Sequence, residues 1–252
     1  MLRHGRKGIS MLDKLFDKLA EDYDQMVQES DRLHLFPFAG YDDVMTNIAN
    51  QVITCSHIPE VKILDLGIGT GALYQKIPPE KIHLFGVDVS EKMLELARLR
   101  LPDAKLLHHD FYKGLPEDFK SEKFDFIVSS YAFHHLDINE FVNMIEYLLK
   151  HLVPYGKILI GDILFANYSE KEICKKKSSE YWDESEYYHV FSELIELLDG
   201  HLALSFMKIS YCAGILIVDN YHETALQMED SLIKYNTNTV KWKSSQPRKK
   251  SE

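Results

Sequence analysis

The chain has 252 residues, of which 45% are hydrophobic and 27% are charged, and both fractions are near the average for soluble globular proteins. This composition excludes a chain that is disordered along its whole length and a small fold held together by disulfides. Lys and Arg number 29 against 39 Asp and Glu, so the formal net charge is −10. Because nucleic-acid binders usually present a basic surface, this charge argues against a nucleic-acid partner.

The sequence also argues against a membrane protein and against a disulfide framework. No apolar run approaches the roughly 18 residues that cross a bilayer, so we expect no membrane partner. The basic N-terminal residues are not followed by the apolar segment of a secretory signal. Cys55, Cys174 and Cys212 are odd in number and far apart, which fits neither disulfide pairs nor a zinc site. A reducing, cytoplasmic compartment is therefore the expected location.

Helical and strand patterns follow one another along the chain. Residues 1–10 are polar and basic and predict a disordered leader. Apolar residues then recur at helical spacing, with a break at Pro37 and Gly40, which predicts an N-terminal helical cap over 11–58. From Val61 onward, short apolar runs alternate with helical patterns. The predicted parallel strands cover residues 61–66, 82–88, 104–110, 124–130 and 156–162.

This alternation predicts an α/β fold built from βαβ units, with helices on both faces of a mainly parallel sheet. The polar, aromatic-rich residues 166–200 predict a helical lid insertion. Two apolar runs, 203–210 and 211–218, have no helix between them and predict an antiparallel hairpin. We therefore expect a single domain over 11–219 and a largely flexible extension over 220–252.

A glycine-rich loop follows the first predicted strand, in the segment DLGIGTG. Gly67, Gly69 and Gly71 let a ligand approach the backbone closely, next to the free N–H groups of the following helix. The spacing through Ala72 also satisfies the dinucleotide fingerprint. Asp65, however, would repel a pyrophosphate, whereas it would attract a ligand with ammonium and sulfonium groups. The loop therefore favours S-adenosylmethionine over NAD.

Two more acidic residues end the next predicted strands. Asp88 ends the second strand, where its carboxylate would accept hydrogen bonds from a ribose diol. Asp110 ends the third strand, where it would accept a hydrogen bond from an adenine amino group while Phe111 packs on the ring. Both positions fit an adenosine ligand at the carboxyl edge of the sheet.

Five motifs in this order resemble the class I S-adenosylmethionine-dependent methyltransferases: DLGIGTG, GVDVSEKMLELAR, HHDF, FDFIVSSYAFHHL and LVPYGKILIGD. The resemblance covers about residues 15–219. It implies a Rossmann-like, seven-stranded, mostly parallel sheet with a C-terminal antiparallel hairpin and helices on both faces. The segment WDESEYYHVFSELIELL followed by ISYCAGI also resembles the bacterial YrrT-like subgroup of small-molecule enzymes.

The resemblance implies S-adenosylmethionine as the cofactor and assigns residues to it. Met93 would pack against the adenine, Ser130 would lie beside the sulfonium, and Tyr23 would close over the cofactor from a helix. The predicted cofactor-binding residues are Tyr23, Asp65, Gly67, Gly69, Gly71, Asp88, Met93, Asp110, Phe111 and Ser130.

The chemistry of methyl transfer points to residues after the fourth predicted strand. Transfer from a sulfonium is an in-line displacement that depends on orientation, so we expect no metal. His134 and Tyr131 follow that strand at the carboxyl edge of the sheet, where ligands bind, and are the predicted catalytic residues. The predicted substrate-binding residues are His135, Tyr187 and Tyr188.

The leading hypothesis is methyl transfer to a small-molecule acceptor, and three alternatives stay open. A tRNA-modifying methyltransferase would have a similar size, although the acidic charge argues against RNA. An NAD(P)-dependent oxidoreductase would need a Tyr-x-x-x-Lys pair, and Tyr147 and Lys150 do not have that spacing. A non-catalytic nucleotide-binding protein would keep the same glycine loop. The sequence also leaves a homodimer open.

Overall fold

The computed structural model describes residues 9–54, 60–198 and 202–220. Its first helix, α1, runs from Ile9 to Arg32, so the predicted leader overlaps the start of this helix. Residues 1–8 and almost all of the predicted C-terminal extension lie outside the described residues. Within the described part of the chain, no helix is both long and apolar enough to cross a membrane.

The other elements follow the predicted alternation of strands and helices. The helices after α1 are α2 (Tyr41–Thr54), α3 (Glu91–Arg100), α4 (Ile138–Leu149), α5 (Tyr168–Lys177) and α6 (Phe191–Leu197). The strands are β1 (Val61–Leu66), β2 (Ile82–Asp88), β3 (Lys105–His108), β4 (Phe124–Ser130), β5 (Leu152–Phe165), β6 (His189–Val190), β7 (Ala203–Lys208) and β8 (Ala213–Asp219).

The strands form one sheet, with seven of them in the order β3-β2-β1-β4-β5-β8-β7. The first five in this order are parallel, whereas β8 runs antiparallel to both β5 and β7. The short β6 pairs with the end of β5 outside this path. The predicted Rossmann-like sheet with its C-terminal antiparallel pair is confirmed. The strand order reverses between β1 and β4, and such a switch point opens a ligand crevice at the carboxyl ends of the strands.

Hydrophobic cores fill both faces of the sheet because side chains alternate along each strand. In β1, Ile63 belongs to one core and Leu64 to the other. Buried side chains of α2 and α3 complete the first core, and those of α4 and α6 complete the second. The start of α4 is fixed by a capping box between Asp137 and Glu140. The predicted placement of helices on both faces is therefore confirmed.

Two segments are less helical than predicted. After the glycine loop, Ala72–Lys76 forms only a short 3-10 helix. Pro78 and Pro79 follow it and lack the N–H groups that would continue a longer helix. The predicted lid over 166–200 contains α5 and α6, but a loop and β6 separate them. Tyr188, at the end of that loop, is buried in the first core and holds the loop against the sheet.

Helix α2 packs closely against the sheet at Gly161 of β5. A Cβ atom at this position would overlap Val44 and lie 2.9 Å from the Cδ1 atom of Ile48, both of which are on α2. Both of these side chains are fully buried. Gly161 therefore sets the distance between α2 and the sheet, and α2 carries Tyr41 and Met45, which border the crevice.

We predict that Gly161→Ala destabilises the fold by about 1–3 kcal/mol, the usual cost of an extra methyl group in a packed core. Urea unfolding followed by circular dichroism measures this change. Val44→Ala removes the overlapping methyl groups, so the double variant should lose less stability than the sum of the two single variants. Simple additivity would show that α2 does not contact the sheet as closely as described.

Candidate active site

Three glycines shape the loop that follows β1. Gly67, Gly69 and Gly71 have φ angles of 78°, 55° and 76°, in the left-handed region that favours glycine. The N–H groups of Gly67 and Ile68 donate hydrogen bonds of 2.9 and 3.0 Å to the carbonyl oxygen of Val87. These bonds attach the loop to β2 and place it at the switch point of the sheet.

Asp88, the last residue of β2, holds the middle of this loop. Its Oδ2 accepts a hydrogen bond of 2.8 Å from the Gly69 N–H, and its Oδ1 accepts one of 2.9 Å from the Ser90 N–H. Burial raises the pKa of Asp88, although these hydrogen bonds oppose the rise. Each carboxylate oxygen has a second lone pair, so Asp88 can also accept hydrogen bonds from a ligand in the crevice.

Asp65 is a buried carboxyl group without a hydrogen-bond partner. The residue is 1% exposed, and neither carboxyl oxygen makes a hydrogen bond within the described part of the chain. Burial raises the pKa of Asp65 to about 7; the nearby Tyr74 hydroxyl opposes the rise, and the Asp88 carboxylate adds to it. Because an unpaired buried carboxylate is costly, this position fits a cationic ligand group.

A cavity with about 860 Å³ of empty space, including open solvent, lies in front of the glycine loop. Residues of α1, α2 and the carboxyl ends of β2 and β4 line it together with the loop. Among the described lining residues there is no lysine or arginine. The predicted site residues that line the cavity are Tyr23, Gly67, Gly69, Asp88, Met93, Phe111, Ser130, Tyr131 and His135.

Other predicted site residues do not line this cavity. They are Asp65, Gly71, Asp110, His134, Tyr187 and Tyr188. Asp110 caps the 3-10 helix Phe111–Lys113, since its Oδ1 accepts a hydrogen bond of 3.1 Å from the Tyr112 N–H. Its Oδ2 lies 3.4 Å from Lys113 Nζ. The contact of Asp110 with adenine therefore stays a prediction.

Tyr187 and Tyr188, the two tyrosines predicted to bind substrate, lie outside the cavity lining. Tyr187 is 41% exposed, and its backbone N–H donates a hydrogen bond of 2.7 Å to the carbonyl oxygen of His134. Tyr188 is buried, with its ring centroid 5.6 Å from that of Phe36 and 4.4 Å from that of Trp182. This position gives Tyr188 a role in core packing.

Acidic side chains hold α1 across the cavity, a feature that no local sequence pattern indicates. The Asp17 carboxylate accepts a hydrogen bond of 2.6 Å from the Ser90 hydroxyl. Asp24 accepts one of 2.7 Å from the Thr70 hydroxyl and forms an ion pair of 2.6 Å with Arg100. These contacts tie α1 to the glycine loop and to α3, so the aromatic residues of α1 cover the cavity.

Aromatic rings form part of the cavity wall. Tyr131 follows β4 with a φ angle of 52°, and its ring centroid lies 5.1 Å from that of Tyr41. The Tyr131 hydroxyl is buried and has no hydrogen-bond partner in the described part of the chain. Phe38 packs against Tyr131 at 5.5 Å. Because the faces of aromatic rings attract cations, this wall suits a positively charged ligand group.

His135, and not its neighbour His134, lies in the cavity lining. His134 Nδ1 lies 2.7 Å from Asp162 Oδ1, and its Nε2 lies 3.9 Å from Glu186 Oε2. His135 Nδ1 lies 2.6 Å from the same Glu186 oxygen. The His135 Nε2 is buried and lacks a hydrogen-bond partner among the residues that the structure describes. The structure therefore brings His135 to the cavity and couples His134 to Asp162.

The two imidazoles differ in the direction of their pKa shifts. Burial lowers the pKa of His134, but the Asp162 and Glu186 carboxylates outweigh burial and raise it above the ordinary value. Burial and the neighbouring His134 lower the pKa of His135. Asp162 is the last residue of the predicted strand 156–162, the same signal that identified Asp88. Glu186 lies in a loop that carries no such signal.

Comparisons with known proteins identify the family. A family described as a methyltransferase domain matches residues 63–156. An uncharacterized methyltransferase of Bacillus licheniformis is 31% identical over 205 residues, which cover 77% of this chain and 91% of that protein. The uncharacterized methyltransferase YrrT of Halobacillus halophilus is 28% identical over 219 residues, which cover 83% of this chain and 97% of that protein.

Solved structures share the fold. The magnesium protoporphyrin IX methyltransferase of Synechocystis PCC 6803, with bound SAH (S-adenosylhomocysteine), aligns with a TM-score of 0.65 and 16% identity, covering 83% of this chain and 98% of that one. The N-methyltransferase NodS of Bradyrhizobium japonicum WM9 aligns with a TM-score of 0.54 and 16% identity, covering 81% and 99%. The chain therefore belongs to the class I S-adenosylmethionine-dependent methyltransferases, and S-adenosylmethionine is its cofactor.

Proposed function

We propose that the protein methylates a small-molecule acceptor that carries no phosphate group. The observation that carries this proposal is the cavity, which α1 covers and in which no described lining residue is a lysine or arginine. Phosphate groups and nucleic-acid backbones are bound mainly by such cations. The Synechocystis relative is named for a small molecule, magnesium protoporphyrin IX, which supports the same class of acceptor.

Two carboxyl groups are the proposed polar contacts of the cofactor. Asp65 is not itself a lining residue, but it is buried near the lining residues Tyr41 and Asp88 and would pair with the ammonium group of the methionine moiety. Asp88 lines the cavity with lone pairs to spare and would accept hydrogen bonds from the ribose hydroxyls. Met93 and Phe111 are buried, line the same cavity and would pack against the adenine, with Tyr23 covering the cofactor from α1.

The chain's own residues would orient the reactants and exclude water. When bound, S-adenosylmethionine supplies an electrophilic methyl group on a sulfonium. Tyr41 and Tyr131 present aromatic rings that favour this positive charge. His135 would hydrogen-bond the acceptor through its unpartnered Nε2, and His134, held by Asp162, would position His135. Holding the acceptor in line with the methyl group supplies the acceleration.

We expect Asp88→Ala to weaken SAH binding by about 1.5–3 kcal/mol, the usual contribution of hydrogen bonds to a charged group. Isothermal titration calorimetry measures the affinity, and circular dichroism checks the fold. Asp118→Ala removes the same charge from an exposed surface position and serves as the matched control. Equal SAH affinity in the wild type and in a folded Asp88→Ala variant would contradict the ribose contact.

Asp65 should make SAH binding depend on pH. Its pKa is about 7 in the unliganded protein, so it is protonated below that pH and ionised above it. The ammonium of SAH pairs with the ionised form, and affinity should therefore rise between pH 6 and pH 8, by up to about tenfold per pH unit below the pKa. Calorimetry across this range, in the wild type and in Asp65→Asn, measures the effect.

The Asp65→Asn variant should bind SAH more weakly at pH 8 and lose this part of the pH dependence. The same variant should raise the Tm of the unliganded protein more at pH 8 than at pH 5. The sign follows from linkage, because an acid whose pKa is raised by folding destabilises the fold as pH rises toward that pKa. The groups that act on Asp65 are Tyr74, Asp88 and Tyr41, and none of them is changed. Identical pH profiles in both proteins would contradict the ammonium contact.

The acceptor class is tested with matched pairs of small molecules. Alcohols, phenols, thiols and amines are each offered with and without a phosphate group elsewhere in the molecule, and SAH release is measured. We expect turnover only for members without phosphate, because the described cavity lining offers no cation to bind one. Preferential methylation of the phosphorylated members, or of tRNA, would contradict the proposal.

A further inference from the structure

We propose that His134, His135 and Glu186 form a binding site for one divalent transition-metal ion, with zinc as the expected ion. One ligand atom from each of the three residues lies within 4.8 Å of the other two. Two imidazoles and one carboxylate are a donor set found in zinc sites with three protein ligands. The cluster adjoins the cavity through His135, and none of its members is a proposed cofactor contact.

Asp162 orients His134 for this role. Its Oδ1 lies 2.7 Å from His134 Nδ1, which places the proton on that nitrogen and leaves Nε2 directed toward Glu186. Asp162 is itself fixed, because it accepts hydrogen bonds of 2.9 Å from the Phe133 N–H and 2.7 Å from the Ile163 N–H. A carboxylate on the far nitrogen of a metal-binding histidine is the usual outer support of such a ligand.

The spacing between His134 and Glu186 suits a shared ion better than a hydrogen bond. His134 Nε2 and Glu186 Oε2 are 3.9 Å apart, which is too far for a hydrogen bond. Two ligands on a tetrahedral zinc ion, with bonds of about 2.0–2.1 Å, lie about 3.4 Å apart. The Glu186 oxygen is 2.6 Å from His135 Nδ1, so ion binding requires these two atoms to separate by about 0.8 Å.

The charges of the cluster also favour a cation. The Asp162 and Glu186 side chains are only 5% and 14% exposed, and they face two imidazoles. With both carboxylates ionised and both imidazoles neutral, these four side chains carry two negative charges. A divalent ion would balance them. An ion on His135 Nδ1 also fixes the proton on Nε2, so that His135 donates a hydrogen bond into the cavity. Only this last consequence rests on the proposed function.

The full-length protein is tested with Co²⁺ as a visible probe, after treatment with a chelator. We expect one equivalent of Co²⁺ to bind with the absorption of a tetrahedral site and to be displaced by Zn²⁺. His134→Ala and Glu186→Gln should each weaken binding at least tenfold, and Asp162→Asn should weaken it about 10–100-fold.

The second histidine pair of the chain provides the matched control. The rings of His108 and His109 hydrogen-bond backbone oxygens, at 2.8 Å from Val89 O and 3.0 Å from Gly114 O. The double variant His108→Ala/His109→Ala should bind Co²⁺ like the wild type. No saturable binding, or binding that His134→Ala and a folded Glu186→Gln leave unchanged, would overturn the site.

SAH titration separates this proposal from the proposed function. The cofactor contacts do not include the ion, so the chelated wild-type protein should bind SAH and then Co²⁺ independently. Failure of SAH to bind would contradict the proposed cofactor contacts and leave the Co²⁺ result to decide the ion site alone.

Discussion

The hydrogen bond from the Gly69 N–H to the Asp88 carboxylate is the contact on which the rest of the site depends. It joins the tips of β1 and β2 beside the point where the strand order reverses. A Cβ atom at Gly69 would meet nothing within 4 Å, so glycine is favoured there by its left-handed backbone and not by a steric clash, and the space in front of it stays open to a ligand. The same carboxylate that shapes the loop therefore also faces the space that a ligand enters.

Acidic residues have two different structural roles around this loop. Asp17 and Asp24 act outside the cavity, where they accept hydrogen bonds that hold α1 in place. Asp65 and Asp88 are buried, and burial raises the pKa of both. A buried carboxyl group of this kind lowers the stability of the unliganded protein, and a cationic cofactor that binds only the folded state recovers it. If Asp65 and Asp88 make the proposed contacts, the protein trades stability for cofactor affinity at this edge of the sheet.

The fold and the glycine loop were predictable because their signals are local. The glycine loop, Asp88 at a strand end and the C-terminal hairpin each follow from a short stretch of sequence. The histidine cluster and the placement of α1 depend on long-range contacts, since Glu186 meets His135 across 51 positions and Asp17 meets Ser90 across 73. Hydrophobic periodicity could not choose between His134 and His135, because a single 3-10 turn has no repeated pattern that shows which residue faces the cavity.

The two ends of the site therefore rest on different parts of the chain. The proposed polar contacts of the cofactor, Asp65 and Asp88, lie on β1 and β2, whereas the histidine cluster draws on the 3-10 turn after β4, on β5 and on the loop before β6. Pairing of β6 with β5, at Leu164 and His189, brings that loop to the cluster. The hydrogen bond of 2.7 Å from the Tyr187 N–H to the His134 carbonyl oxygen then fixes Glu186 beside both imidazoles. Under the proposed function, substitutions in this loop would change the acceptor end and leave the proposed cofactor contacts intact, which is how one sheet can serve methyltransferases with different acceptors.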